Sequence, residues 1–157
     1  MTALSVIEHA AVSTASAAAS EVLTFRLGSE QYGIDILAVQ EIRHFEPPTR
    51  IAQSAWHLLG VLNLRGVIMP VVDLRRRLGL SDENGLNTVT VIVNVAGRTV
   101  GLVVDAVSEV LALDAGKIQP RPALGSGADF IVGLAPVGDP ATSLLLLVDL
   151  AALLHDL

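Results

Sequence analysis

The 157-residue sequence contains no cysteine, which excludes disulfides, thiolate zinc sites and cysteine nucleophiles. Aromatics make up only 3% of it, and Lys117 is the single lysine beside nine arginines. With a net charge of −6 there is no broad basic face and no series of stacking aromatics, so nucleic acid is not an expected partner. No apolar run approaches the roughly eighteen residues needed to span a bilayer, and direct membrane insertion is not expected. The first twenty residues, MTALSVIEHAAVSTASAAAS, lack a basic leader and place Glu8 and His9 where an apolar core would begin. They read as a poorly ordered tail, not a signal peptide, which points to the cytoplasm.

Catalytic and cofactor signals are missing as well. His9, His44, His57 and His155 form no metal-ligand pair, and neither a metal nor any other cofactor is expected. Gly125-Ser126-Gly127 lacks the strand–turn–helix setting of a nucleophile elbow. The glycine spacing of Gly28–Gly33 is followed by Ile34 where a phosphate-binding loop needs lysine. Asp35, Asp73, Asp105 and Asp149 are the remaining carboxylate candidates, and for Asp73 and Asp149 capping of a helical turn is the ordinary role. No residue is assigned a catalytic role.

What is present in abundance is valine, leucine and isoleucine in short runs, a composition that favours strands. The chain reads as strands at 22–27, 32–36, 60–64, 67–72, 88–96, 98–104, 107–113, 131–137 and 143–148. Residues 37–45 are mixed and include a helical turn, Gln53–Leu59 is a short amphipathic helix candidate carrying Trp56, and 114–129 is irregular. Arg75-Arg76-Arg77, the one basic cluster, reads as the solvated side of a short helix at 74–80. Pro70 suits only a strand edge or a bulge.

The central stretch is Gly60–Leu80, in which two strands meet at the tight pair Arg65-Gly66. Gly66 suits a turn because glycine accepts positive φ. Arg65 is a full charge at a hairpin tip, compatible with a solvated turn residue or with a contact residue.

The sequence also repeats itself. Gly33, Val39, Glu41 and Ile42 recur at the same spacing as Gly101, Val107, Glu109 and Val110, 68 residues later. Gly60-Val61-Leu62 matches Gly133-Leu134-Ala135, and Val72-Asp73-Leu74 matches Val148-Asp149-Leu150 if an insertion is placed near 138–142. The ordered series implies two copies of one small β unit. We therefore expect a mostly β protein of two five-stranded barrels with short helical segments, one near 21–85 and the other near 86–157, preceded by the tail at 1–20. Exchange of a strand between the halves is left open.

These residues resemble CheW-type coupling proteins of bacterial chemotaxis over nearly all of 21–157. The resemblance is carried by Glu21–Phe25, Tyr32–Ile36, Val39–Arg43, Thr49–Ile51, Gly101–Val107 and above all Asn63-Leu64-Arg65-Gly66. It implies paired SH3-like barrels and a non-enzymatic adaptor. Its implied partners are the regulatory domain of the CheA histidine kinase and the cytoplasmic tip of methyl-accepting chemoreceptors, in membrane-associated arrays. Carried over by position, the receptor-facing residues are Arg65 and Gly60, with Val39, Glu41, Val107 and Val110 on or beside the same groove. Kinase contact maps to Leu23, Ile36 and Val39, and a ring-forming contact to Gln119 and Leu124, where this sequence departs from the family pattern. Branched aliphatics such as Val39, Val107 and Val110 are also ordinary core residues, so a mixed role is expected for them. The alternatives are a scaffold of another, non-flagellar CheW-like system and an unassigned β-barrel enzyme.

Overall fold

The computed structural model describes residues 20–120, 130–138, 143–155 and 157. Ten strands run in order: β1 (Ser20–Leu27), β2 (Glu30–Asp35), β3 (Val39–His44), β4 (Leu58–Leu64), β5 (Val67–Asp73), β6 (Val89–Val95), β7 (Arg98–Val104), β8 (Ala106–Leu113), β9 (Ile131–Val137) and β10 (Ser143–Val148). Two single-turn helices, α1 (Leu74–Arg77) and α2 (Leu150–Leu153), follow β5 and β10. Their N-caps are Asp73 and Asp149, whose carboxylates accept from the backbone N–H groups of Arg75 and of Ala151 and Ala152. Among the described residues no helix is long and apolar enough to cross a membrane.

The strands form two five-stranded sheets, ordered β8-β1-β2-β10-β9 and β3-β6-β7-β5-β4. Neither sheet is closed by hydrogen bonding among the described residues, so each is an open version of the expected barrel. In the second sheet the two edges nevertheless approach each other. Arg65, on the β4–β5 turn, pairs with Glu41 on β3 at the opposite edge, and a small cavity takes its walls from both β3 and β4.

A division at 85/86 does not separate these sheets. The first sheet joins hairpin β1–β2 to β8, β9 and β10, and the second joins hairpin β6–β7 to β3, β4 and β5. Each copy of the repeat thus lends its first hairpin to the other. The chain crosses over a three-residue 3-10 turn, Ile36–Ala38, and again at the single residue Asp105.

The repeat is reproduced contact by contact. Gly33 pairs in parallel with Leu147, and Gly101 with Val71. A Cβ on Gly33 would press on Val22, Leu145 and Leu147, and one on Gly101 would press on the corresponding Thr90, Met69 and Val71. Isolated bridges Thr49–Val61 and Gln119–Leu134 also correspond.

Strand alternation explains the nearly continuous apolar runs, because both faces are buried. On β6, Ile92 faces a cluster inside its own sheet with Leu64, Met69, Val71 and Val103. Val91 and Val93 face a larger cluster shared by both sheets, which includes Leu23, Phe25, Leu27 and Ile34 from the first and Val100, Leu102 and Val104 from the second. A third cluster, with Val22, Leu113, Ala135, Leu145 and Leu147, fills the first sheet.

Three local expectations are corrected. Residues 53–59 do not form a helix: Gln53 adopts φ +61°, and Leu58 and Leu59 belong to β4. Pro70 lies in a strand that is internal in the sheet order, but pairing with β7 begins only at Val71, so its missing N–H is tolerated. Arg75 is not solvated. It is 0% exposed, and its guanidinium donates to both Asp73 oxygens, to Asp105 at 3.1 Å, to Asn84 at 2.7 Å and to the Glu83 carbonyl at 2.9 Å.

Candidate functional site

Leu64 pairs with Val67, leaving Arg65-Gly66 as a two-residue hairpin loop. Both residues have positive φ, +51° and +89°, as in the primed turn whose twist matches flanking strands. The Asn63 side-chain oxygen accepts the Gly66 N–H at 2.8 Å and fixes that turn. The result is a rigid tip with the Arg65 side chain 66% exposed.

Arg65 Nη2 donates to Glu41 Oε2 across the two sheet edges. Glu41 also lies 4.0 Å from Arg43, whose Nη2 reaches Glu46 at 3.2 Å, so charges alternate along the surface. The Arg65 hydrogen bond holds the Glu41 carboxyl below the usual glutamate range, with the charges of Arg65 and Arg43 adding to the effect and partial desolvation opposing it. Val67 and Ile68, the first residues of β5, follow the tip directly and are both largely exposed. A guanidinium with five donors and a stackable plane thus stands among branched aliphatics, an arrangement suited to protein contact.

The residues singled out in sequence do not form one continuous cluster. Arg65 and Glu41 come together. Val39 and Val107 occupy equivalent places at the start of edge strands β3 and β8, half-buried against the shared cluster. Val110 is 46% exposed on β8, with Glu109 exposed beside it. Gly60 is buried and offers no surface. At φ +151° it makes room for the Thr49 carbonyl, with which any Cβ would collide.

Leu23, mapped to kinase contact, is 3% exposed because β1 is an inner strand and Leu23 faces the shared cluster. Its side chain is not available to a partner. Ile36 is half-buried in the 3-10 turn, beside Leu37, which is 54% exposed. Gln119 is exposed while its backbone bridges Leu134. Leu124 lies outside the described residues, as does the Gly125–Gly127 stretch.

Asn63 belongs to the motif that stands out in sequence, whereas Val67 and Ile68 do not stand out there. No local signal marks those two, because alternation would place only one of them outside and both are exposed.

The aspartates weighed for chemistry have structural partners. Asp73 caps α1 and binds Arg75, Asp149 caps α2, Asp35 caps the 3-10 turn, and Asp105 binds Arg75 and the Gly28 N–H. Among the described residues no group of three or more His, Asp or Glu comes together to hold a metal ion.

Comparison with known proteins agrees with this architecture. Residues 21–157 match the family model of the CheW-like domain. Chemotaxis protein CheW of Klebsiella aerogenes is 46% identical over 139 residues, covering 85% of this chain and 81% of that protein. Chemotaxis protein CheW of Rhizobium meliloti is 40% identical over 107 residues, 68% of this chain and 69% of that one. The crystal structure of the scaffolding protein TtCheW from Thermoanaerobacter tengcongensis superposes with a TM-score of 0.79 at 32% identity, covering 86% of this chain and 92% of that one. With its exchanged hairpins, two open sheets and Arg65 tip, this chain belongs to the CheW family of chemotaxis scaffolding proteins.

Proposed function

We propose that this chain is a non-enzymatic adaptor that couples methyl-accepting chemoreceptors to the CheA histidine kinase, acting in the cytoplasm and recruited to receptor arrays. The observation that carries the receptor side is the exposed, turn-locked Arg65 held by Glu41. A helical receptor tip laid across this edge meets a fixed guanidinium together with Val67 and Ile68. Val39, Val107 and Val110 extend the apolar surface along the edges of the two sheets. Gly60 contributes through the backbone geometry that carries β4 to the tip. Kinase contact falls on the connector side, where Ile36 and exposed Leu37 precede Val39, and Gln119 remains a candidate for the ring-forming contact.

The test is a pair of separate pull-downs, one against the purified CheA regulatory domain and one against a receptor signalling-tip fragment. Arg65→Ala is expected to weaken the receptor complex about tenfold, as expected for a central arginine anchor. It should leave kinase binding and the melting temperature near wild type, since an exposed ion pair adds little to folding. Unchanged receptor binding, or a large loss of melting temperature, would exclude this role for Arg65. Failure of the wild-type chain to bind either partner would exclude the adaptor function itself.

A further inference from the structure

At the far end of β4 from Arg65, roughly 20 Å along the strand, lies an open cleft of about 610 Å³, lined by Pro47, Arg50, Ile51, Trp56, Leu59 and Arg76 among others. We infer that this cleft is a second docking site, which takes an extended acidic peptide of a partner protein, with an apolar side chain next to the carboxylate.

Three observations carry the inference. The first is the apolar floor: Trp56, the only tryptophan in the chain, is 68% exposed, and Ile51 beside it is 46% exposed. Large apolar side chains set in a concave surface mark binding sites, and the volume falls in the range of ligand clefts.

The second is preorganisation. The Arg76 guanidinium lies 3.8 Å from the Trp56 ring centroid, donates through Nη1 to the Trp56 carbonyl at 3.1 Å, and is held through Nε by Asp82 at 2.7 Å. The wall formed by residues 49–58 is tied down by the paired Thr49 and Val61 backbones, by Ser54 Oγ donating to the Ile51 carbonyl, and by Leu58 N–H donating to the Ala55 carbonyl. Gln53 in that wall adopts the left-handed φ of +61°, a conformation that non-glycine residues adopt sparingly. A wall fixed before binding lowers the ordering cost of capture.

The third is charge. The chain carries a net charge of −6, yet two arginines and no aspartate or glutamate line this cleft. Asp82 neutralises Arg76, whereas Arg50 is exposed and makes no ion pair with any described residue. A carboxylate on the occupant therefore meets Arg50, and its apolar neighbour meets Trp56 and Ile51. A nucleic acid is disfavoured by the acidic net charge, and a second copy of this chain by like-charge repulsion.

The experiment is a random heptapeptide library selected on the full chain, with each selected peptide then titrated against Trp56 fluorescence, which reports on this cleft alone. The expected consensus pairs Asp or Glu with an adjacent apolar residue. Binding should shift Trp56 emission saturably, fall at least tenfold in Arg50→Glu, and weaken as salt rises. The same peptide with lysine for its acid should not bind. Arg50 is exposed, so the variant should keep the wild-type circular dichroism melt, and receptor and kinase pull-downs provide an independent control. Absence of enrichment, a consensus without an acid, or equal affinity for Arg50→Glu would overturn the inference. So would a Trp56 emission that tracks protein concentration together with dimer formation in sedimentation, because the occupant would then be a second copy.

Discussion

Arg65 and Arg75 stand ten positions apart and sit at opposite extremes of exposure, which decides what each can do. Arg75 is sealed from solvent with Asp73 and also holds the partly exposed Asp105, the residue at which the chain crosses from β7 to β8. Removing one member of a buried charge network leaves the others unpaired, at a cost of about 3–5 kcal/mol. Arg75→Met should therefore lower the stability measured by urea unfolding by that amount, while a surface arginine such as Arg98 should tolerate the same change. A run of three arginines gives no hint of this in sequence, because the partner carboxylate of Asp105 lies 30 residues away and is recognisable only in the folded chain. Glu41 behaves oppositely to a buried group. Its folded-state pKa is depressed, so the contribution of its pair is complete above the unfolded value and disappears only as pH falls through the lowered folded value. The Arg65–Glu41 pair should persist from about pH 5 to 8. An NMR titration of the Glu41 carboxyl should show a midpoint that rises when Arg65 becomes alanine. Thr90 offers a third check. Its Oγ1 is buried without a hydrogen-bond partner among the described residues, and the equivalent position in the other repeat is Val22. Thr90→Val should raise stability by about 1 kcal/mol in the same urea assay.

The strands themselves were legible because their signals are local: a period of two, bounding turn residues, and glycines spaced identically in both repeats. Gly33 and Gly101 recur because the same trio of neighbouring side chains fills the space of a Cβ in each sheet. Residues 53–59 were misread as a helix because their pattern fits one, and only the pairing of Leu58 with Val72 draws the segment's end into β4. Kinase contact maps to Leu23 only by its position in the family pattern. Alternation shows that it faces away from Val22, but not that a second sheet covers that side. The Arg65-Gly66 turn was legible and the exposure of its apolar neighbours was not, since nothing local distinguishes exposed Val67 and Ile68 from the buried Met69 that follows. Gly60 yields the prediction that belongs to this scale. Any side chain there strikes the Thr49 carbonyl and demands an unfavourable φ, so Gly60→Ala should cost about 2 kcal/mol or more. A thermal melt should drop accordingly, and the receptor and kinase complexes should weaken together. That joint loss separates a backbone defect from the selective loss expected of Arg65→Ala.

At the scale of the molecule, the exchange of hairpins makes the two sheets interdependent. Local pattern could not reveal it, because both repeats present the same sequence of strands and either hairpin satisfies the pattern of either acceptor. The structure selects the exchanged pairing through parallel ladders, β2 with β10 and β5 with β7, and through a shared cluster to which both sheets contribute inner-strand residues. Neither half of the chain therefore owns a complete sheet or a complete core. A fragment of residues 1–85 carries β1 to β5 but lacks β8, β9 and β10 beside its first hairpin, as well as β6 and β7 beside its remaining strands. The fragment 86–157 has the converse deficit. Unfolding of the intact chain should consequently be a single cooperative transition, with circular dichroism and Trp56 fluorescence coinciding. Each fragment alone should melt without a sigmoidal transition, and an equimolar mixture should regain the β-sheet spectrum and a concentration-dependent melt. A cooperative melt from either fragment on its own would mean that each repeat can fold onto itself, and the exchange would then be incidental to stability.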